Sequence, residues 1–139
     1  ISEEKTQSIF GTTMARASVV QSLFESEVSK DYKSSNIEKL SFFKKSNKSK
    51  QKIAKKILSY ALENKNSIDE SIIKYTNDKS IERIPKTDLS ILRMAISEIS
   101  CGLETPVGVI VNESVKLGDV FGSDTSKNFI NGVLNSMVR

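Results

Sequence analysis

The sequence predicts an all-α fold of about seven helices, and three observations carry that prediction. Apolar residues recur at helical steps in most segments, helix start and stop residues fall between those segments, and the one β-branched run, Val107–Val111, lies inside a longer helical pattern. The clearest instance is Pro85–Cys101. Leu89, Leu92, Ile96 and Ile99 keep the helical step, while Ile91, Met94 and Ala95 widen the apolar surface beyond one stripe, so this helix is enclosed by others. Pro85 suits its first turn, Asp88 the positive end of its dipole, and Gly102 a left-handed stop.

Taken in order, the chain opens with the weakly patterned Ile1–Phe10. Gly11, Thr12 and Thr13 offer a break and an N-cap before a helix from about Met14 to Ser29, with Ala15, Val19 and Leu23 on one line. The polar, serine-rich stretch from Lys30 to Lys50 is interrupted by Ile37, Leu40, Phe42 and Phe43, which predicts a short helix of about two turns. Ile53, Ile57, Leu58, Ala61 and Leu62 make the next helix amphipathic, ending near Asn64–Asn66. Ser67 and Glu70 have the spacing of a capping box, predicting a helix start there that runs to about Thr76. A turn at Asn77–Ser80 and a single helical turn at Ile81–Ile84 lead into the central helix. Beyond Gly102, Val107, Ile110, Val111, Leu117 and Phe121 hold helical spacing between Pro106 and Gly122, so length decides for helix over strand. Ser123–Ser126 supplies turn and cap chemistry for a last helix carrying Phe129, Ile130, Val133, Leu134, Met137 and Val138 on one broad face.

The length of 139 residues suits one domain spanning 1–139. No apolar run approaches a membrane span, and ISEEKTQSIF lacks the basic start and apolar centre of a signal peptide, so a cytoplasmic protein is expected. A single cysteine, Cys101, and no histidine exclude internal disulfides, Cys/His zinc sites and imidazole-based triads. Gly-rich phosphate loops are absent, and Asp124 near a turn reads as a cap rather than a base. No enzyme, cofactor, metal or small-molecule substrate is therefore expected. The net charge of +4 favours an anionic partner mildly, because 17 acidic residues are interspersed with 21 basic ones.

Two features stand out from this background. Lys44, Lys45, Lys48, Lys50, Lys52, Lys55 and Lys56 form a cluster that reads either as a phosphate-backbone contact or as a solvated loop and helix face. Arg93, Glu98, Asn112, Glu113, Asn131 and Gly132 are polar or helix-breaking residues in apolar company, read as links within a structural polar core. Arg93 needs a buried partner, for which Glu113 is the first candidate and Glu98 the second. Asn131 is expected to make a core hydrogen bond, and Gly132 to permit close backbone approach.

The run DLSILRMAISEI, followed by PVGVIVNESVKLGDVFG and SKNFINGVLN, resembles the C-terminal signature of NusB-type transcription antitermination factors. ENKNSIDESIIKY and ARASVVQSLFESE look like that family's fourth-helix region and first helix. The resemblance implies two small packed helical bundles, here about 12–78 and 79–139, without catalytic activity. It implies a heterodimer with the ribosomal protein NusE that binds single-stranded boxA-type RNA of ribosomal RNA operons and joins the RNA polymerase antitermination complex. Carried over by position, RNA contact falls to Arg16, Lys127 and Phe129, with Tyr75 as a further stacking candidate, and NusE contact to Phe24 and Asp88. Phe129 equally suits the core, and Asp88 equally suits a helix N-terminus. The chain departs from the family where Thr12, Thr13 and Met14 replace usual arginines and Gly118-Asp119 replaces an Ala-Lys. Fewer cations imply weaker RNA binding with a flatter salt dependence. A helical protein-binding adaptor that keeps the NusE surface is the alternative. An accessory domain of an RNA cytosine methyltransferase also resembles the fold, but this length leaves no room for a methyl-donor domain.

Overall fold

The computed structural model describes residues 11–32, 36–78 and 80–139. Among these residues the chain forms seven α-helices and no strand: α1 (Thr12–Ser29), α2 (Ser41–Lys45), α3 (Lys48–Glu63), α4 (Lys65–Lys74), α5 (Lys86–Ser100), α6 (Val107–Phe121) and α7 (Ser126–Met137). Single 3₁₀ turns at Ile37–Lys39 and Ile81–Arg83 precede α2 and α5. The weakly patterned Ile1–Phe10 lies outside the described residues, as does Lys79.

The centre of the molecule is α5. Every residue from Asp88 to Glu98 is buried, which is why its apolar positions run most of the way around the helix rather than along one stripe. It packs against α1, α3, α4, α6 and α7. Pro85 stands at its N-cap and Gly102, at φ 89°, turns the chain out of it. One apolar cluster gathers Val19 and Leu23 of α1, Ile57 of α3, Ile72 of α4, Leu89 and Leu92 of α5, Leu117 of α6 and Ile130 of α7.

The elements depart from expectation at their ends. Helix α1 begins at Thr12 behind Gly11, whose left-handed φ of 62° turns the chain into it, and no side chain caps it. The capping box does not form. Helix α4 starts two residues before Ser67, because Asn64 ends α3 and begins α4 at once, leaving a one-residue joint instead of a loop. The side chain of Asn64 donates to the Tyr60 carbonyl at 3.0 Å. The Lys30–Lys50 stretch yields a 3₁₀ turn and a five-residue helix rather than a single two-turn helix.

Helices α6 and α7 pack against each other, with Gly118 of α6 facing Ile130 of α7. A Cβ there would stand 2.7 Å from Ile130 Cδ1, so only glycine admits Ile130 to this depth. Gly132, by contrast, is exposed with open space around its missing side chain, and Asn112 and Asn131 are exposed too. The expected core roles of these three residues are not met. They lie on the outer faces of α6 and α7, and Asn131 accepts a surface hydrogen bond from Asn135 at 2.7 Å.

Candidate protein and nucleic-acid interfaces

The buried charges are arranged differently from the sequence expectation. Arg93 is 2 % exposed and is held by Asp69 and Glu27, not by Glu113 or Glu98. Its Nε and Nη2 donate to the two carboxylate oxygens of Asp69 at 2.8 Å each, and Nη1 donates to Glu27 Oε1 at 2.7 Å. The Tyr32 hydroxyl donates to Glu27 at 2.6 Å, the Lys30 ammonium donates to the same carboxylate, and the Tyr32 ring lies over the guanidinium at 5.8 Å. Burial alone would raise the Glu27 carboxyl, but hydrogen bonds from Lys30, Tyr32 and Arg93 pull it down to about 2. The Tyr32 hydroxyl is pushed up to about 12 by burial and by its bond to Glu27.

Glu98 belongs to a second pair. Arg16 of α1 donates from Nε and Nη2 to its two oxygens at 2.7 and 2.8 Å. Arg16 is 3 % exposed, so the expectation of a surface cation for RNA at this position is not met: α1 turns the residue inward, onto the central helix. Glu113 is half-buried and accepts from the Thr13 hydroxyl at 2.7 Å, tying α6 to the start of α1.

Burial of most of α1 leaves an outer strip in its second half. Phe24, 37 % exposed, lies on it beside Glu25, with Val28 one turn further on. Phe24, Val20, Gln21 and Glu25 line a shallow groove of about 280 Å³ whose other wall is Leu40, Thr87 and Phe121. Phe121 is braced edge-on by Phe42, with ring centroids 6.0 Å apart. Thr87 is the neighbour in sequence of Asp88, which is buried at 3 % exposure with its Oδ1 lacking any hydrogen bond. Burial pushes the Asp88 carboxyl up, partly offset by a hydrogen bond from the Ser126 hydroxyl. The sequence marks Leu40 and Phe121 only as apolar helix positions and gives no sign for Thr87; only the fold brings them to Phe24.

Of the other RNA candidates, Lys127 is exposed, whereas Phe129 and Tyr75 are half-buried and pack against the core. Lys74 Nζ sits 5.5 Å over the Tyr75 ring. Lys44, Lys45, Lys48, Lys52, Lys55 and Lys56 are all exposed, on α2 and on the outer face of α3, and Lys50 is half-buried. Among the described residues no group of histidine, cysteine or carboxylate side chains is placed to hold a metal ion, and no helix is long and apolar enough to cross a membrane.

This arrangement can be set beside known proteins. The model of the NusB family matches residues 13–139. The chain is 33 % identical over 125 residues to the transcription antitermination protein NusB of Alkaliphilus oremlandii, covering 90 % of this chain and 91 % of that one. It is 32 % identical over 125 residues to the corresponding protein of Finegoldia magna, with 90 % and 91 % covered. Among solved structures, T. maritima NusB superposes with a TM-score of 0.79 at 24 % identity, covering 92 % of this chain and 90 % of that one. A chain from the antitermination factors NusB and NusE in complex with double-stranded RNA superposes with a TM-score of 0.74 at 23 % identity, covering 90 % and 93 %. The all-helical fold is shared with both.

Proposed function

Because this chain belongs to the NusB family, we propose that it is a transcription antitermination factor that pairs with the ribosomal protein NusE and binds boxA-type RNA of ribosomal RNA operons. The observation that carries the pairing is the groove between α1 and the Thr87–Phe121 wall, where the aromatic ring of Phe24 is left exposed at the rim. An exposed aromatic at the rim of an apolar groove, with an unsatisfied carboxylate oxygen close in sequence, is the composition of an interface anchor. Phe24 enters the partner's apolar surface in this reading, and Asp88, buried behind the groove wall at Thr87, contributes to the partner contact only where binding uncovers its Oδ1. Lys127, Phe129 and Tyr75 remain the proposed RNA contacts, through charge and base stacking. Catalysis has no part in the role, and the setting is the cytoplasm, where transcription complexes assemble.

The test is fluorescence-anisotropy titration of a boxA-like RNA and a scrambled RNA, with and without NusE, at two salt concentrations. Selective binding that tightens with NusE is the expected result. Equal, weak affinity for both RNAs with NusE still bound would favour a protein-binding adaptor. The observation that favours this second reading is the withdrawal of Arg16 into the core.

A further inference from the structure

We infer that the lysine face of α3 is a phosphate-backbone track that supplies the cations missing from the start of α1. The inference rests on the RNA-binding half of the proposed function. From Lys39 to Leu62 the chain holds eight lysines and no carboxylate; with a net charge of +4 overall, everything outside that segment sums to −4. The net excess of positive charge is therefore carried by one segment.

The helix arranges that charge as a ladder. Ala54, Ile57, Leu58 and Ala61 are buried, which turns Lys48, Lys52 and Lys56 together onto the opposite, exposed face. They stand at four-residue steps, about 6 Å apart along the axis. Among the described residues none of the three makes an ion pair, whereas Lys55 is taken by Glu38. A ladder of unpaired cations suits the repeating charge of a phosphate strand. A membrane surface is a poorer fit, since membrane binding needs apolar side chains exposed beside the lysines, and those of α3 are turned into the core.

Position gives the second argument. Lys50 Nζ lies 3.7 Å from where a Cβ would stand on Gly11, the residue that starts α1. Lys56 Nζ lies 3.9 Å from the corresponding point on Gly102, at the end of α5. The ladder therefore ends beside the C-terminus of α5, while the half-buried Lys50, on the inner side of α3, brings a further cation to the first turn of α1, where Thr12, Thr13 and Met14 carry no charge and Arg16 is buried against Glu98.

The experiment uses the whole chain and anisotropy titrations of a boxA-like single-stranded RNA and a scrambled RNA of equal length. The variant K48Q/K52Q/K56Q is compared with R83Q/K86Q/R139Q, which removes as many exposed charges elsewhere. Melting curves check that both fold. The track variant is expected to bind both RNAs about 10- to 100-fold more weakly at 0.1 M salt, with the log-log salt slope shallower by about 2. The control should change less than about threefold, and the preference for boxA should persist in both. Unchanged affinity and slope in the track variant would overturn the inference while leaving selective binding by the parent chain intact. Equal weakening in the control would overturn it too, since the effect would then be one of net charge. Equal binding of both RNAs by the parent chain, lost in the track variant, would support the track and count against boxA recognition.

Discussion

Arg16 and Glu98, 82 residues apart in sequence, meet through two parallel hydrogen bonds of 2.7 and 2.8 Å inside the molecule. The same two helices are joined again by Glu27 and Arg93 at 2.7 Å. The polarity reverses between the pairs: α1 offers a cation early and an anion late, α5 a cation early and an anion late. An antiparallel packing matches each with its opposite, whereas a parallel one would set Arg16 against Arg93 and Glu27 against Glu98. The ion pairs thus specify how α1 lies on α5, a task that apolar contacts alone leave loosely defined.

Removing one side of these pairs strands the other. Arg93→Leu leaves Asp69 and Glu27 buried without their guanidinium, and a loss of about 3–5 kcal/mol is expected in urea unfolding. Arg16→Met should behave similarly through Glu98. The double variant Arg16→Met with Glu98→Met should lose much less than the sum of its parts, since no unpaired charge remains. Additive losses would contradict the assigned pairing.

Glu27 dictates an acid limb. Its carboxyl lies at about 2 rather than the ordinary 4.5, so its contribution is present above about pH 4.5 and is lost as pH falls towards 2. The size is about 3 kcal/mol. Asp88 acts with the opposite sign: its raised carboxyl opposes folding at neutral pH, and that opposition is relieved as pH falls. Stability measured from pH 6 to pH 2 should therefore decline, and Glu27→Gln should flatten the decline.

Two glycines should respond in opposite directions to the same substitution. Gly118→Ala places a methyl group 2.7 Å from Ile130 Cδ1 and should lose about 1–3 kcal/mol by displacing that buried side chain. Gly132→Ala meets nothing within 4 Å in an exposed helix and should gain about 0.5–1 kcal/mol. Thermal melts of the pair check both.

Asp88→Asn should raise the melting temperature at pH 7, since it removes a buried charge that carries an unsatisfied oxygen. If that oxygen receives a donor from NusE, the same variant should bind NusE about tenfold more weakly or worse in isothermal titration. Unchanged affinity would remove Asp88 from the interface and leave it with the dipole of α5.

Periodicity was enough to place six of the seven helices, because apolar residues recur at helical steps in each long helix, whether one face is buried, as at Ala54, Ile57, Leu58 and Ala61 of α3, or the whole circumference, as in α5. Joints were less legible. Asn64 serves two helices at once, a geometry set by how α3 and α4 pack rather than by local cap chemistry, so the capping-box spacing of Ser67 and Glu70 misled. The partners of Arg93 were hidden for another reason. Asp69 and Glu27 lie on two other helices, α4 and α1, and no spacing rule links them to residue 93. Spacing likewise cannot separate an exposed asparagine such as Asn131 from a core one, or show that Gly118 and not Gly132 is the glycine the packing requires.

The lysine-rich segment from Lys39 to Leu62 also makes the charge of the molecule lopsided, net positive over α2 and α3 and net negative when the rest of the chain is summed. An approaching polyanion feels a torque as well as an attraction, so encounters are pre-oriented before any contact forms. Orientation of this kind acts on the association rate more than on the final affinity, and it fades as salt shortens the screening length. A modest net charge thus conceals an uneven distribution of charge along the chain.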